Sequence, residues 1–174
     1  MTFNLYDNPV QQWENFKCFS LSHLDSKKVE YTFGKKNYTV YVTYSHHCFT
    51  KTEAGYNDVD CLEYNLHAFS RTNIRHFHFQ RYDLSKKIPE IIQDLPNLYV
   101  FHAGHGGYAS KKLNDKYGNT LNYKIVFNVF KSKKKIRLHV SSAHIENIRG
   151  KSQKVGFNKI IEAIHGGRKL PGLK

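Results

Sequence analysis

Tyr123-Lys124-Ile125-Val126-Phe127-Asn128-Val129-Phe130 and Ile136-Arg137-Leu138-His139-Val140-Ser141 stand on either side of the polar run Lys131-Ser132-Lys133-Lys134-Lys135. Successive side chains of a strand point to opposite faces. Tyr123, Ile125, Phe127 and Val129 therefore line one face, and Ile136, Leu138 and Val140 join them from the returning strand. Lys124, Asn128, Arg137, His139 and Ser141 fall together on the other. The pattern predicts a hairpin with one apolar face that must be covered and one basic, polar face that need not be.

Outward from this hairpin the same reasoning places its neighbours. Lys28–Phe33 and Tyr38–Ser45 alternate around Gly34-Lys35-Lys36-Asn37, a second hairpin signal. Ile74–Arg81 alternates too, with His76 and His78 on one face and Phe77 and Phe79 on the other. Ile88, Ile91, Ile92 and Leu95 recur at helical spacing, with Asp83 or Ser85 placed to cap and Pro89 in or near the first turn. Leu98–His102 can return as a strand. Phe157, Ile160, Ile161 and Ile164 repeat the helical stripe before Gly166-Gly167 and Pro171 stop it. Thr52–Asn65 and Gly104–Asn122 show no clear period and read as loops. The expected fold is α+β: one curved, mostly antiparallel β-sheet with two packed helices, in a single domain over residues 1–174.

Composition bounds the function. The chain has 174 residues, 40% hydrophobic and 14% aromatic, which is enough apolar matter for a real core. Its net charge of +13 is unevenly placed. Residues 1–80 carry 8 basic and 8 acidic side chains, whereas residues 81–174 carry 19 basic and 6 acidic ones. A neutral half joined to a strongly basic half points to a polyanionic partner. Cys18, Cys48 and Cys61 are too few, and odd in number, for a disulfide framework. The N-terminus shows no secretory pattern and no apolar run approaches the roughly 20 residues of a membrane span. A cytoplasmic location without membrane association is the expectation.

The chemistry-bearing residues fall into a few groups. Lys131, Lys133, Lys134, Lys135 and Arg137 concentrate cations at a hairpin tip, where they attract phosphate. With Lys124, Asn128, His139 and Ser141 they form a face able to hold an RNA backbone or splayed bases. His46 and His47 end the first hairpin, and strand parity sends them to opposite faces; either can serve as a general base. Arg81, Tyr82 and Lys86 stand where a strand gives way to a helix and suit a scissile phosphate. His76 and His78, with Cys48, Cys61 or the His102/His105 pair, offer imidazole and thiol to zinc, but no metal-site spacing supports the set. His102-Ala103-Gly104-His105-Gly106-Gly107 lacks the spacing and lysine of a phosphate-binding loop. No metal or cofactor is therefore expected.

Ser45-His46-His47-Cys48-Phe49-Thr50, the run Arg81–Pro89, and Tyr123–Phe127 continuing to Leu138–His144 resemble a family of small bacterial proteins labelled stationary-phase growth adaptation proteins. That resemblance covers most of the chain and implies no particular reaction. The order of hairpin, Ser142-Ala143-His144 and closing helix is similar to the core of RelE- and BrnT-like ribonuclease toxins, although BrnT-like proteins show Ser-Ala-Arg there and have no counterpart to the first 70 residues. The resulting expectation is a basic, RNA-interacting protein acting as a metal-independent endoribonuclease of toxin or phage-defence type. His46 or His47 would act as base, Arg81 and Lys86 as phosphate stabilisers, and His144 or Tyr82 as acid. The alternative is a non-catalytic nucleic-acid-binding module, a regulator or a phage-borne inhibitor. RNA is the expected partner, with DNA as the other polyanion and an antitoxin or other protein as a further one.

Overall fold

The computed structural model describes residues 20–52, 61–64, 75–102, 107–114, 120–146 and 154–170. Its strands are β1 (Lys27–Phe33), β2 (Lys36–Tyr44), β3 (Thr50–Lys51), β4 (Cys61–Tyr64), β5 (Arg75–His78), β6 (Tyr99–His102), β7 (Gly107–Asn114), β8 (Thr120–Ser132), β9 (Lys135–Ile145) and β10 (Lys154–Gly156). Its helices are α1 (Phe79–Ser85), α2 (Ile88–Gln93) and α3 (Phe157–His165). Seven strands form one sheet in the order β1-β2-β9-β8-β7-β6-β10, antiparallel except where β2 meets β9. A second, three-stranded sheet has the order β3-β5-β4. The fold is thus α+β with a mostly antiparallel sheet, as the alternation predicts. No helix among the described residues is long and apolar enough to cross a membrane.

Both hairpins lie where the pattern puts them, and both turns are tighter than it predicts. β1 and β2 close on Gly34-Lys35, with Phe33 paired to Lys36. Gly34 takes φ 60°, a backbone angle glycine adopts without a Cβ clash. β8 and β9 close on Lys133-Lys134, with Ser132 paired to Lys135. Here both turn residues have positive φ, 49° and 64°, in positions where Asn-Gly is favoured.

One face of the large sheet is the core. Val40, Val42, Ile125, Phe127, Leu138 and Val140 are buried from the adjacent strands β2, β8 and β9. Ile88, Ile91 and Ile92 of α2 and Phe157, Ile160 and Ile161 of α3 are buried with them. The Phe157 ring meets Tyr31 edge-on at 5.0 Å and Phe127 at 6.3 Å. Tyr31 Oη donates to the Ile92 carbonyl at 2.6 Å, which ties α2 to the edge strand. Burying one such aliphatic or aromatic side chain is worth about 1.5–3 kcal/mol, so these stripes hold the helices to the sheet.

Three segments depart from expectation. Gly107–Asn114, read as part of a loop, is β7; its residues have no alternation, and the pairing with β8 from Gly107–Phe127 to Asn114–Thr120 makes the strand. A Cβ at Gly107 would stand 3.0 Å from Val100 Cγ1, so the absent side chain lets β7 approach β6. Cys61–Tyr64, also read as loop, is β4, paired with β5. The strand read over Ile74–Arg81 ends at His78, whose Nδ1 accepts the Arg81 N–H at 3.3 Å and caps α1. Asp83 and Ser85 lie within α1, and α2 starts at Ile88 with Pro89 in its first turn.

Left-handed backbone costs a non-glycine residue roughly 1–2 kcal/mol, and glycine returns part of that as unfolded-state entropy. Lys133→Asn/Lys134→Gly is therefore expected to raise stability by about 1 kcal/mol, read as a higher urea midpoint at unchanged slope. A midpoint equal to or below that of the parent protein would show that the turn carries no strain.

Candidate nucleic-acid interface

The face of the sheet opposite the helices is built from the polar positions of β1, β2, β9 and β8. Register arranges it in rows. Tyr41 of β2 pairs with Arg137 of β9, which pairs with Phe130 of β8. The next row is Thr43, His139 and Asn128. Beyond it, a β-bulge leaves Ser141 as an extra residue between the Phe127–Val140 and Val126–Ser142 pairs. The bulge reverses the parity of β9, so Ala143 enters the core while Ser142 and His144 share the outer face with Val126 and Lys124.

Charge and aromatic surface coincide at the hairpin tip. Lys135 Nζ lies 4.8 Å and Lys28 Nζ 5.6 Å from the Tyr41 ring centroid. Two ammonium groups on one ring are a cation–π arrangement that holds the long side chains near the sheet. Arg137 makes no ion pair among the described residues, and its Nε is buried without a hydrogen-bond partner. Phe130, across from it, is 42% exposed. His139 shares a hydrogen bond with Thr43, Nδ1 to Oγ1 at 2.9 Å, and burial lowers its pKa. The face is not wholly basic, because Glu30 is exposed on β1.

Other predicted binding residues, and His144 of the predicted catalytic set, have partners within the fold. Lys131 Nζ donates to the His165 carbonyl at 3.0 Å, at the negative end of α3. Lys124 Nζ and His144 Nε2 both reach Glu146 Oε2 at 2.8 Å. Those two hydrogen bonds hold the Glu146 carboxyl below its ordinary pKa. Ser141 Oγ donates to the Val126 carbonyl at 3.1 Å, satisfying backbone that the bulge disturbs. Lys133, Lys134, Lys135, Arg137 and Asn128 retain unbonded polar atoms on or beside the outer face, and they define the candidate interface.

The predicted catalytic residues are less assembled. β2 ends at Tyr44, and Ser45 caps a single 3-10 turn, its Oγ accepting the His47 N–H at 3.3 Å. Strand parity therefore does not apply to His46 and His47; their rings meet edge-on at 4.4 Å instead of pointing apart. The Ser45 N–H donates to the Val140 carbonyl, so this turn continues alongside the part of β9 that follows Val140. Arg81 Nη1 donates to the Thr50 carbonyl at 2.7 Å and the His47 carbonyl at 3.5 Å. Its half-buried guanidinium, with its pKa lowered by burial, positions the turn. Tyr82 is buried with Oη donating to the Ser20 carbonyl at 3.0 Å. Lys86 pairs with Asp83 at 2.9 Å and lies over the Tyr82 ring.

Cys48, the last residue of this turn, is fully buried, and burial pushes its thiol up to about 12. That argues against a nucleophile. Of the zinc ligands considered, the side chains of His76, Cys61, His102 and His105 lie outside the described residues. Among the described residues no three His, Cys, Asp or Glu side chains cluster as metal ligands.

Two residues escaped the sequence reading. His23 Nε2 lies 2.7 Å from Ser85 Oγ, which donates to the Tyr82 carbonyl at 2.6 Å. A hydroxyl has one proton, so Nε2 must carry its own and donate to Ser85. Burial first, then Lys86, lowers the His23 pKa. The two partners are 62 residues apart, and no local pattern announces them. Tyr41 is the other; its strand parity is readable, but the parallel docking of β2 on β9 is not.

A mostly antiparallel α+β fold with an aromatic, basic outer sheet face defines the class. The chain belongs to the YjaZ family, whose model matches residues 11–165. Protein YjaZ of Escherichia coli (strain K12) is 32% identical over 173 residues, covering 93% of this chain and 96% of that protein. No solved structure matches.

Two predictions follow from the geometry of this region. Hydrogen bonds to a charged group contribute about 1.5–3 kcal/mol, so Arg81→Met should lower stability by about 2 kcal/mol in urea titration. An unchanged midpoint would free Arg81 for a catalytic part. His23 and His139 both have depressed pKa values, so the unfolded chain binds protons more readily than the folded one. Their contribution is complete above the ordinary histidine pKa, about 6.5, and is lost as pH falls through the folded values. The urea midpoint should fall from pH 7 to pH 5, less steeply in His23→Gln/His139→Gln; equal slopes would refute the assignment.

Proposed function

We propose that this protein binds RNA on the outer face of its large sheet, gripping the backbone with the β8–β9 tip. The observation that carries this reading is Arg137. It is an unpaired guanidinium set between Tyr41 and Phe130, with three consecutive lysines next to it and its buried Nε lacking a partner. That Nε is itself closed to solvent, but the other guanidinium N–H groups make no bond among the described residues, and a phosphate oxygen could accept from them. The strained Lys133-Lys134 turn supports the same reading. Two lysines occupy positions where Asn-Gly would be more stable, as expected where charge is kept for contact at the expense of folding energy. The face is long enough for a strand of nucleic acid: Lys124 to Phe130 spans roughly 20 Å.

A metal-independent endoribonuclease of toxin or phage-defence type is the second reading. It is favoured by the touching His46 and His47 rings beside the second half of β9, which carries Ser142 and His144 on the binding face. One imidazole would take the 2′-hydroxyl proton and another acid would protonate the leaving 5′-oxygen. The ribonuclease reading takes its suggestion from the sequence resemblance to ribonuclease toxins, and a cognate antitoxin would suit it.

The test titrates labelled RNA and matched DNA against salt, with and without EDTA. For single strands each phosphate contact contributes about 0.7 to the slope of log affinity against log salt. Lys133→Ala/Lys134→Ala should therefore flatten that slope by about 1.4. A slope near zero for the parent protein would defeat the binding proposal. RNA cleavage that survives EDTA and disappears in His46→Ala/His47→Ala would move the protein to the ribonuclease class; tight binding without cleavage would leave it a binding module.

A further inference from the structure

We infer that the outer face selects unpaired strands, seating a base on Phe130 while Arg137 and the Lys28–Lys135 pair hold the flanking phosphates. This rests on the RNA-binding reading and specifies its substrate class. Phosphate attraction alone does not favour single strands over duplexes, because a duplex presents the denser charge. The cross-sheet row adds something other than charge. Tyr41, Arg137 and Phe130 follow one another across three adjacent strands. Neighbouring strands lie about 4.8 Å apart, so the row is an aromatic, a guanidinium and an aromatic within roughly 10 Å.

The two rings are differently employed. Tyr41 is occupied by the two ammonium groups and serves to position cations. Phe130 makes no such contact; it is the more exposed of two large hydrophobic residues left open to solvent among the described residues. An open phenyl beside a guanidinium offers a stacking surface to any base, whatever its identity. Bases within a duplex are already stacked on their neighbours, so only unpaired ones can use it. Asn128 lies two residues from Phe130 on the same face, opposite His139. A base on Phe130 would therefore have an amide and an imidazole within reach of its edge. The occupant is a nucleic acid by charge as well, since Lys28, Lys135 and Arg137 surround the row and Glu30 is the single exposed carboxylate on β1.

The experiment compares four probes of equal length on the whole protein: single-stranded RNA, the same strand annealed to its complement, the strand with abasic sites, and single-stranded DNA. Stacking on an aromatic ring is worth a factor of about 5 to 150 per base. Wild-type protein should prefer the intact single strand over duplex and abasic strands by at least about tenfold. Phe130→Ala should bring single-strand affinity down to that of the abasic strand, and Phe130→Trp should restore it. Phe130→Leu keeps an apolar side chain without a π face and should behave like the alanine variant; thermal melts confirm that each variant folds. Equal affinity for intact, abasic and duplex RNA would overturn the inference while leaving phosphate binding standing. Failure of all probes to bind at low salt would instead remove the RNA-binding reading. A preference for DNA would keep the stacking surface and change the substrate.

Discussion

The register of β9 is the constraint on which the rest depends. It is hydrogen-bonded on both sides, in parallel to β2 and antiparallel to β8, and so joins the two hairpins into one sheet. Its period of two puts Ile136, Leu138 and Val140 into the core and Arg137 and His139 onto the outer face. A slip of one residue would bury a guanidinium and an imidazole and expose three aliphatic side chains. The core therefore determines the outer face: wherever α2 and α3 find their apolar partners, the basic row must appear on the other side.

Much of this was legible because it is periodic. Tyr123–Phe130 and Ile136–Ser141 contain their own alternation, and Ile88–Leu95 and Phe157–Ile164 their own stripes, so local spacing suffices. What was not legible depends on partners distant in sequence. Gly107–Asn114 becomes a strand because β8 pairs with it. The His46–His47 turn arises because Ser45 caps it and Arg81, more than 30 residues away, binds the His47 carbonyl within it and the Thr50 carbonyl just beyond. Arg81 and Tyr82 have the residue types of a phosphate site, yet Arg81 Nη1 and Tyr82 Oη donate to backbone carbonyls.

The basic half of the chain divides by the same logic. Lys131 is bound to the end of α3 and Lys124 to Glu146, so these cations serve the fold or are neutralised by it. Lys133, Lys134 and Arg137 have no such engagement among the described residues. The net charge of +13 thus overstates how much is free for a partner, while the tip concentrates what remains. A compact set of unpaired cations raises local potential more than the same number dispersed over a surface, and it does so next to the exposed aromatic.

The bulge at Ser141 links the two regions of interest. Without an extra residue, strand parity would turn Ala143 outward and Ser142 and His144 into the core. With it, Ala143 packs against the helices' side of the sheet, and the imidazole of His144 stays on the face that carries Arg137 and Phe130. The same half of β9 runs beside the His46–His47 turn. A strand held at the cationic tip and extended along β9 would pass toward these imidazoles. Phe130 and Lys124 mark the two ends of that outer face, about 20 Å apart by strand geometry. One inserted residue in β9 is what keeps Ser142 and His144 on the side of the sheet that carries Arg137 and Phe130.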